Sequence, residues 1–360
     1  MSNVVTTLVA YLGERLKSLL LITLAIVLLG MPACTQSPDC FREDVFCVAL
    51  VTDTRGLKDF GINQNTWAGL EQSKANGVID QIAYIESVDA RDYEKNIAFF
   101  VNAGYDVIIT SGIGLQDATL HSADRYPFDP TQGKPDSVFI GMSQPDEESV
   151  PNFISVTFAE DQMGFFAGAL AARLTRTNII GAVCETSGID SMWRYCEGFR
   201  AGSNYVDDSI EVIVAYRDDG SSEKLFIDEA WGVENTQSLI QRGADVIFAV
   251  GGETGVGALR AAAEAKVQAI GAERNQGAAL ASLGDKGSSV VTSVLGRASF
   301  TVQELMRRVR AGNLADAGLS PIGYVSLESV VQKSLILEME EILAGLASGE
   351  IETHVPVEKE

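Results

Sequence analysis

An unbroken apolar run, Val45-Phe-Cys-Val-Ala-Leu-Val51, is followed at once by a polar loop, Asp53-Thr-Arg-Gly-Leu-Lys-Asp59. After the loop, residues 63–75 have the pattern of an amphipathic helix. A short run rich in β-branched residues, then a loop with Gly or Asp, then a helix is typical of a buried parallel strand and its crossover. The sequence therefore predicts a β-loop-α unit at this point.

The same order recurs along the chain. Further strand-like runs lie at residues 107–110, 137–140, 179–183, 212–215, 246–250, 267–270 and 290–292. Helix-like stretches between them include residues 161–174, 192–205 and 256–265. Alternation of this kind predicts an α/β fold with right-handed crossovers.

One further run indicates two lobes rather than one sheet. Phe153-Ile-Ser-Val-Thr-Phe158 follows residues 137–140 too closely for a helical crossover. We interpret it as a hinge strand between two Rossmann-like lobes with a cleft between them, and we expect two more crossings at residues 290–293 and 324–327. The expected segments are residues 45–155 with about 296–322 for the first lobe, 156–293 with about 325–350 for the second, and a frayed acidic tail at 351–360.

The N-terminal residues have the order of a bacterial export signal. Arg15 and Lys17 precede an apolar run at residues 19–29, and Met31-Pro-Ala leads into Cys34. The run is about eleven residues long, short of the ~20 needed to span a bilayer. We predict a signal peptide at 1–33, lipidation of Cys34, a tether at 34–44 and a location on the extracytoplasmic face of the cell membrane. An uncleaved membrane anchor with an incidental cysteine is the alternative.

The charge balance argues against nucleic acid as a partner. The chain has 27 Lys and Arg against 49 Asp and Glu, a formal net charge of −22. Such a surface repels phosphate backbones and anionic lipid head groups.

The remaining cysteines fit an oxidising compartment. Cys40, Cys47, Cys184 and Cys196 are an even set, which outside the cytosol indicates disulfides, and local pairing as Cys40–Cys47 and Cys184–Cys196 is the simplest arrangement. A metal site is the competing interpretation. The spacings are not the Cys-x-x-Cys of structural zinc, and the chain has two histidines, so we expect no metal.

Ligands of open parallel sheets bind beyond the carboxyl ends of the strands. The segments that follow the predicted strands are 53–59 with Asn63-Gln64, 111–117, Cys184-Glu185 with Trp193 and Tyr195 on the next helix, 251–255, and 271–276. They are rich in Asp, Asn, Glu, Gly and aromatic residues, and poor in Lys and Arg. This composition suits a neutral or cationic ring-bearing ligand better than a phosphate.

These segments resemble the basic membrane protein family of substrate-binding lipoproteins, whose best-understood members bind purine nucleosides for ABC importers. The likeness covers roughly residues 45–335. The matching positions are Asp53, Gly56, Asp59, Asn63, Gln64, Trp67 and Gly69, then Tyr195 to Gly202, Gly251 to Gly257, and Ile270 to Gln276. The resemblance implies a fold of the periplasmic-binding-protein type I.

The resemblance also implies roles for individual residues. Asn63 and Asp117 match base-recognising positions, Tyr195 matches one of two stacking aromatics, and Glu273 matches a ribose-binding carboxylate. Asp53 and the Gly251-Gly252 turn complete the expected ligand site. Ile62 stands where the second aromatic residue is expected, and Gly296 where a lysine is expected.

Purely structural interpretations stay open for several of these residues. Asp53 and Asp59 are also suited to cap the helix that begins near Asn63. Tyr195 fits the core as well as a ligand contact, and Gly251 and Gly252 fit a simple turn.

The predicted function is an ABC-importer binding lipoprotein for a purine nucleoside, with a permease and an ATPase as partners and no cofactor. The turn at 252–257 resembles a P-loop, but Ala258-Leu259 replace its Lys and Ser/Thr, and the catalytic motifs Gly-x-Ser-x-Gly and His-Glu-x-x-His are not in the sequence. We therefore expect no enzyme. The alternatives are a sensing receptor of the same fold, and a binding protein for another neutral ring compound or a sugar.

Overall fold

A computed structural model describes residues 38–127, 137–145, 150–282, 284, 289–314, 319–328 and 330–359. By its internal contacts, Asp39–Glu360 is one compact unit. The predicted signal peptide and Cys34 lie outside the described residues. No helix in the described part of the chain is long and apolar enough to cross a membrane.

The first of two sheets has six strands, and all neighbouring strands in it are parallel. In spatial order they are β11 (Leu319–Ser320), β5 (Phe153–Phe158), β4 (Val138–Met142), β3 (Val107–Ser111), β1 (Cys47–Thr52) and β2 (Gln81–Glu86). Every residue of β1, β3 and β4 is buried, as expected for parallel strands covered on both faces.

The second sheet also has six strands, all parallel except for the pair at one edge. In spatial order they are β12 (Ile322–Tyr324), β10 (Val290–Gly296), β9 (Gln268–Ala272), β8 (Val246–Ala249), β6 (Ile179–Cys184) and β7 (Glu211–Tyr216). The two orders match position by position. Strand β6 therefore holds in the second sheet the place that β1 holds in the first.

Helices pack against each sheet to form two lobes. Those of the first lobe are α1 (Ile62–Ala75), α2 (Tyr93–Asn102), α3 (Gln116–Arg125) and α9 (Ala298–Arg310). Those of the second are α4 (Glu160–Leu174), α5 (Asp190–Val206), α6 (Glu229–Gln241), α7 (Gly252–Ala265), α8 (Gln276–Ser282) and α10 (Lys333–Ser348). Although α9 follows a strand of the second sheet, it packs on α1, where Gly69 lies against the backbone of Ser299.

The α/β prediction with two Rossmann-like lobes is confirmed, and every predicted apolar run overlaps a strand. Strand β2 was not predicted. It is at the edge of the first sheet and none of its residues is buried, so its sequence lacks the continuous apolar run of a central strand.

The chain passes between the lobes at Ala159, Arg297 and Pro321. These connections touch one another. The backbone N–H of Arg297 donates to the carbonyl of Pro321 at 2.8 Å, and the ring of Phe158 occupies the space that a Cβ atom on Gly296 would need. The crossings therefore form one packed hinge region.

The crossings differ slightly in position from the sequence-based boundaries. Strand β5 stays in the first sheet through Phe158, past the expected boundary at residue 155, because its last two residues pair with β11. The third crossing, at Pro321, comes before the expected segment 324–327.

Both predicted disulfides are confirmed. Cys40 and Cys47 are bonded with a Cα–Cα distance of 5.7 Å, and this bond fastens the segment before β1 to the first residue of that strand. Cys184 and Cys196 are bonded with a Cα–Cα distance of 6.5 Å, and this bond joins the end of β6 to α5.

The C-terminal segment is packed on the second lobe, so the expectation of a frayed tail is wrong. Thr353 Oγ1 donates to Asp161 Oδ2 at 2.5 Å, and Arg194 Nη1 donates to the carbonyl of Val357 at 2.6 Å. Further along, Lys359 Nζ donates to Ser187 Oγ at 2.5 Å. The C-terminal segment is acidic in composition, but these contacts use a hydroxyl, a carbonyl oxygen and a lysine.

Glycines allow α4 and α5 to pack closely. A Cβ atom at Gly164 or Gly168 of α4 would overlap the backbone of α5, and one at Gly198 or Gly202 of α5 would overlap the backbone of α4. Each pair is spaced four residues apart, which places both glycines on one helix face.

We predict that Gly202→Ala destabilises the protein by about 3 kcal/mol, because its Cβ would overlap the carbonyl oxygen of Phe165 and force the helices apart. Gly114→Ala is the control, since the nearest atom to its Cβ would be Tyr93 Oη at 3.9 Å. The midpoints of urea unfolding measure both. Equal midpoints for the two variants would show that the helices separate without cost.

Candidate functional site

The two lobes touch at the carboxyl ends of their strands. Phe60, in the loop after β1, accepts a backbone hydrogen bond from Asn275, in the loop after β9, at 2.9 Å. Gly61 lies beside Arg274 at the same point. The segments that the sequence singled out as following strands therefore face each other across the cleft, where ligands of such sheets bind.

Asp53 and Asn63 form a polar pair on the first lobe. Asn63 Nδ2 donates to Asp53 Oδ1 at 2.8 Å, and Arg55 Nη2 lies 2.7 Å from Asp53 Oδ2. The Asp53 side chain is 13% exposed, whereas Asn63 is completely buried. Asp53 is therefore paired with an arginine and oriented by an amide.

Asp59 caps helix α1. Its carboxylate accepts hydrogen bonds from the backbone N–H groups of Gly61, Asn63 and Gln64, at 2.8–3.1 Å. These N–H groups precede or open the first turn and lack helical partners, so the carboxylate satisfies them. Of the two open interpretations of Asp59, capping is the one that its contacts support.

Three buried polar atoms of the first lobe have no hydrogen-bond partner among the described residues. They are Asn63 Oδ1, Thr66 Oγ1 of helix α1, and the hydroxyl of Ser111, the last residue of β3. Ser111 is directly opposite Thr52 in the sheet, and its carbonyl accepts from Asp53 N at 3.3 Å. Buried polar atoms normally find partners, since an unpaired one costs about 1–3 kcal/mol. Of the three, Asn63 Oδ1 and the Ser111 hydroxyl lie next to Asp53 at the carboxyl ends of the strands, and they are candidates for contact with a ligand.

Sequence reasoning did not single out Ser111, although its segment was among those expected at the cleft. A serine that ends a buried strand is common, and the signal in this case is the tertiary position beside Asp53.

Asp117 is not part of the hydrogen-bonded pair that Asp53 and Asn63 form. It is exposed in the first turn of α3, which follows β3 through a 3₁₀ turn at Ile113–Leu115. Among the described residues, no hydrogen bond joins it to Asp53 or Asn63.

Tyr195 is a core residue of the second lobe with a polar end near the cleft. Its side chain is 4% exposed, its hydroxyl lies 3.5 Å from Met163 Sδ, and its ring centroid is 6.3 Å from that of Phe248. Burial raises its pKa well above the usual value, and the negative charge of Glu273 adds to this. The hydroxyl is therefore protonated at neutral pH, and the ring face is taken up by packing.

Gly251 and Gly252 shape the start of α7. Both have positive φ angles, 110° and 61°. A side chain on Gly251 would overlap Glu185, and one on Gly252 would overlap the carbonyl of Phe226. The sequence left open whether these glycines serve only a turn, and both positions do need glycine for the turn.

Glu273 lies beside the contact between the lobes in a left-handed conformation, with φ at 69°. Phe60, on the opposite side of that contact, also has a positive φ of 55°. Such angles are unfavourable for residues with a Cβ, and they cluster at functional sites. Burial raises the pKa of Glu273, although the positive charges of Arg55 and Arg274 oppose the shift.

Two departures from the family pattern have structural explanations. Any side chain at Gly296 would collide with the ring of Phe158, so a lysine has no room there. Ile62 opens α1 and packs half-buried against the core. No cluster of possible metal ligands is found within the described part of the chain.

We predict that Glu273→Gln raises the melting temperature at pH 7.5. The carboxyl of Glu273 has a higher pKa in the folded protein than in the unfolded chain, so it favours folding at low pH and loses that contribution as pH rises through the folded pKa. The neutral amide does not carry this loss.

The difference between Glu273→Gln and wild type should therefore shrink towards pH 4, where the carboxyl is protonated in both states. Glu71→Gln, at an exposed position on α1, should follow the wild-type profile. A Glu273→Gln profile parallel to wild type from pH 4 to 8 would contradict the burial argument.

Comparison with known proteins agrees with this geometry. A family model described as ABC transporter substrate-binding protein PnrA-like, of the Bmp family, matches residues 46–326. The CD4+ T-cell-stimulating antigen of Listeria monocytogenes is 29% identical over 329 residues, covering 85% of this chain and 87% of that protein. The ABC transporter nucleoside-binding protein BmpA of Lactococcus lactis subsp. cremoris is 32% identical over 212 residues, covering 58% of this chain and 56% of that protein.

A solved ABC transporter solute-binding protein from Conexibacter woesei has the same fold. It superposes with a TM-score of 0.66 at 21% identity, covering 87% of this chain and 99% of that one. The match of the family model over most of the chain confirms the resemblance seen in the motifs. The chain therefore belongs to the Bmp family of PnrA-like ABC transporter substrate-binding proteins.

Proposed function

We propose that this substrate-binding protein takes a purine nucleoside into the cleft between its lobes. The observation that carries the proposal is Asn63, which is completely buried at the cleft edge and is oriented by Asp53, and whose amide oxygen has no hydrogen-bond partner among the residues that the structure describes. An amide in this state is suited to read a donor on a ring edge. The Lactococcus relative is a nucleoside-binding protein by name, which supports the same solute class.

The other predicted site residues receive roles in this proposal. Asp117 meets the base from the first turn of α3, and Glu273 meets the sugar hydroxyls from the second lobe. The protonated hydroxyl of Tyr195 serves as a neutral donor. Gly251 and Gly252 keep side chains out of the space beside Glu185 and Phe226.

A second candidate is another neutral ring compound or a sugar. Tyr195 is 4% exposed and Ile62 is aliphatic, so the cleft lacks the two aromatic faces of a purine sandwich. Loss of one aromatic face weakens ring binding by about 1 kcal/mol. A sugar, which binds through hydroxyl groups, depends less on these faces.

Substrate-binding proteins of ABC transporters deliver their solutes to a permease and its ATPase. We propose that this chain is exported by the signal at residues 1–33, is lipidated at Cys34, and closes by a hinge motion at its three crossings. The packed contact between Phe158 and Gly296 supports a hinge at this place.

We predict that a purine nucleoside at ~100 Kd stabilises the full-length protein by about 2.7 kcal/mol, or several degrees in a thermal-shift assay. Adenosine, guanosine and inosine should be screened beside free bases, sugars and small amines. A shift with sugars or amines, and with no nucleoside, would reject the nucleoside and leave the fold and family intact.

Asn63→Ala should then lower the affinity for the nucleoside by roughly 10- to 100-fold, because it removes an acceptor in a buried site. Asn65→Ala is the matched control on the same helix, and it should bind as wild type does. Calorimetric titration measures both, and equal affinities would exclude Asn63 from the site.

Ser111→Ala should lower the affinity for the same ligand. It should not lower the stability of the free protein, because the Ser111 hydroxyl has no partner among the described residues. Ser203→Ala removes another buried, unpartnered hydroxyl about 20 Å along α5 from its start and should leave affinity unchanged. Parallel titration and melting experiments test the pair. Loss of stability in Ser111→Ala with unchanged affinity would assign Ser111 to the core.

A further inference from the structure

The second lobe contains a buried ion pair at the edge of its sheet. Glu185 is the first residue after β6, and Arg217 is the first after the neighbouring strand β7. Their side chains are 0% and 1% exposed, and Arg217 Nε donates to Glu185 Oε1 at 2.5 Å. This is the edge at which Asn275 contacts Phe60 of the first lobe.

Within the described part of the chain, one oxygen of the Glu185 side chain is hydrogen-bonded and the other is not. Arg217 binds Oε1 and directs Nη1 to the carbonyl of Ser221 at 3.1 Å, whereas Oε2 is buried without a partner among the described residues. A buried carboxylate oxygen without a donor is costly. Arg217 thus satisfies one oxygen of the carboxylate, and the other oxygen can accept a hydrogen bond from a further donor.

The position of Glu185 repeats that of Asp53. Strands β1 and β6 hold equivalent places in the two sheets, and each is followed at once by an acidic residue. Both carboxylates are paired with an arginine, Asp53 with Arg55 and Glu185 with Arg217. Asp53 receives a further hydrogen bond from Asn63, but Glu185 has no equivalent donor among the described residues.

We propose that Glu185 Oε2 binds the solute directly, by accepting a hydrogen bond from one of its N–H or O–H groups. The inference rests on the proposed function and adds a contact from the second lobe. Because an arginine balances each carboxylate, the pairs suit a neutral solute with donors on both sides rather than a cation.

Glu185 is held in place from two directions. Its neighbour Cys184 is bonded to Cys196 of α5, the residue after Tyr195. On its other side, Gly251 approaches so closely that a Cβ there would overlap the Glu185 side chain. The carboxylate is therefore fixed before the solute arrives, which lowers the entropic cost of binding.

The test is calorimetric titration of the full-length protein and of Glu185→Gln with adenosine, guanosine and inosine. Glutamine keeps the size of the side chain and an acceptor for Arg217, but it replaces the free oxygen by an NH₂ group or removes the charge that strengthens its hydrogen bond. We expect the affinity for the nucleoside that binds best to fall by about 10- to 100-fold. Glu160→Gln, which alters the arginine-paired carboxylate of Glu160 and Arg194, is the control and should bind as wild type does.

Donor-deleted analogues identify the contact. Purine riboside and the 2′-, 3′- and 5′-deoxy forms of adenosine each lack one donor of adenosine. The analogue without the contacted donor should bind wild type more weakly, and it should show little further loss in Glu185→Gln, because the interaction is already absent. Glu185→Asp keeps the charge but shortens the side chain, and it should show a smaller loss if the glutamine variant does not fold.

Two results would overturn the inference. A lower melting temperature in Glu185→Gln with an unchanged dissociation constant would make the pair purely structural. Equal effects of the substitution on every analogue would show that Glu185 touches none of the deleted groups. If wild type binds ribose or adenine and no nucleoside, the proposed solute fails, and the same comparison with that compound decides Glu185. If wild type binds nothing in the panel, both proposals fail.

Discussion

The contact between the ring of Phe158 and the backbone of Gly296 underlies the arrangement of the two lobes. It packs the first crossing of the chain against the second, and the hydrogen bond between Arg297 and Pro321 adds the third. With the connections held together, loops that follow strands of the two sheets meet, as in the hydrogen bond from Asn275 to the carbonyl of Phe60. A side chain at Gly296 would force the crossings apart and disturb both halves of the cleft.

The cleft edges concentrate charge in balanced pairs although the chain as a whole is strongly acidic, with a net charge of −22. Asp53 with Arg55 and Glu185 with Arg217 stand at equivalent strand ends of the two lobes. Glu273 is the exception, since burial raises its pKa against the influence of the nearby arginines. Balanced pairs of this kind suit the neutral, hydrogen-bonding solute that we propose.

A disulfide, close helix packing and the C-terminal segment stabilise the second lobe beside the cleft. The Cys184–Cys196 disulfide ties the end of β6 to α5, and the glycines of α4 and α5 bring those helices into backbone contact. The C-terminal segment crosses the same corner and binds Arg194 and Ser187. These contacts lie within one lobe, so they stiffen it without restricting the hinge.

The sequence by itself determined the fold class, nearly all the strands, the disulfides and the family. Buried parallel strands have continuous apolar runs, and their following loops carry function, so both are visible in the order of residues. The edge strand β2 escaped prediction because an exposed strand lacks that pattern. Among the site residues, the motif located Asp53 and Asn63 in sequence, and the structure showed that they form one hydrogen-bonded pair.

Tertiary structure alone decided how other residues are used. It assigned Asp59 to a helix cap, buried the ring of Tyr195, and packed the C-terminal segment that composition had suggested was frayed. It also brought Glu185 beside Arg217, which follows the neighbouring strand β7 and lies 32 residues further along the chain. Burial and pairing depend on which strands become neighbours, and that choice is made by the packing of the whole lobe rather than by any local stretch of sequence.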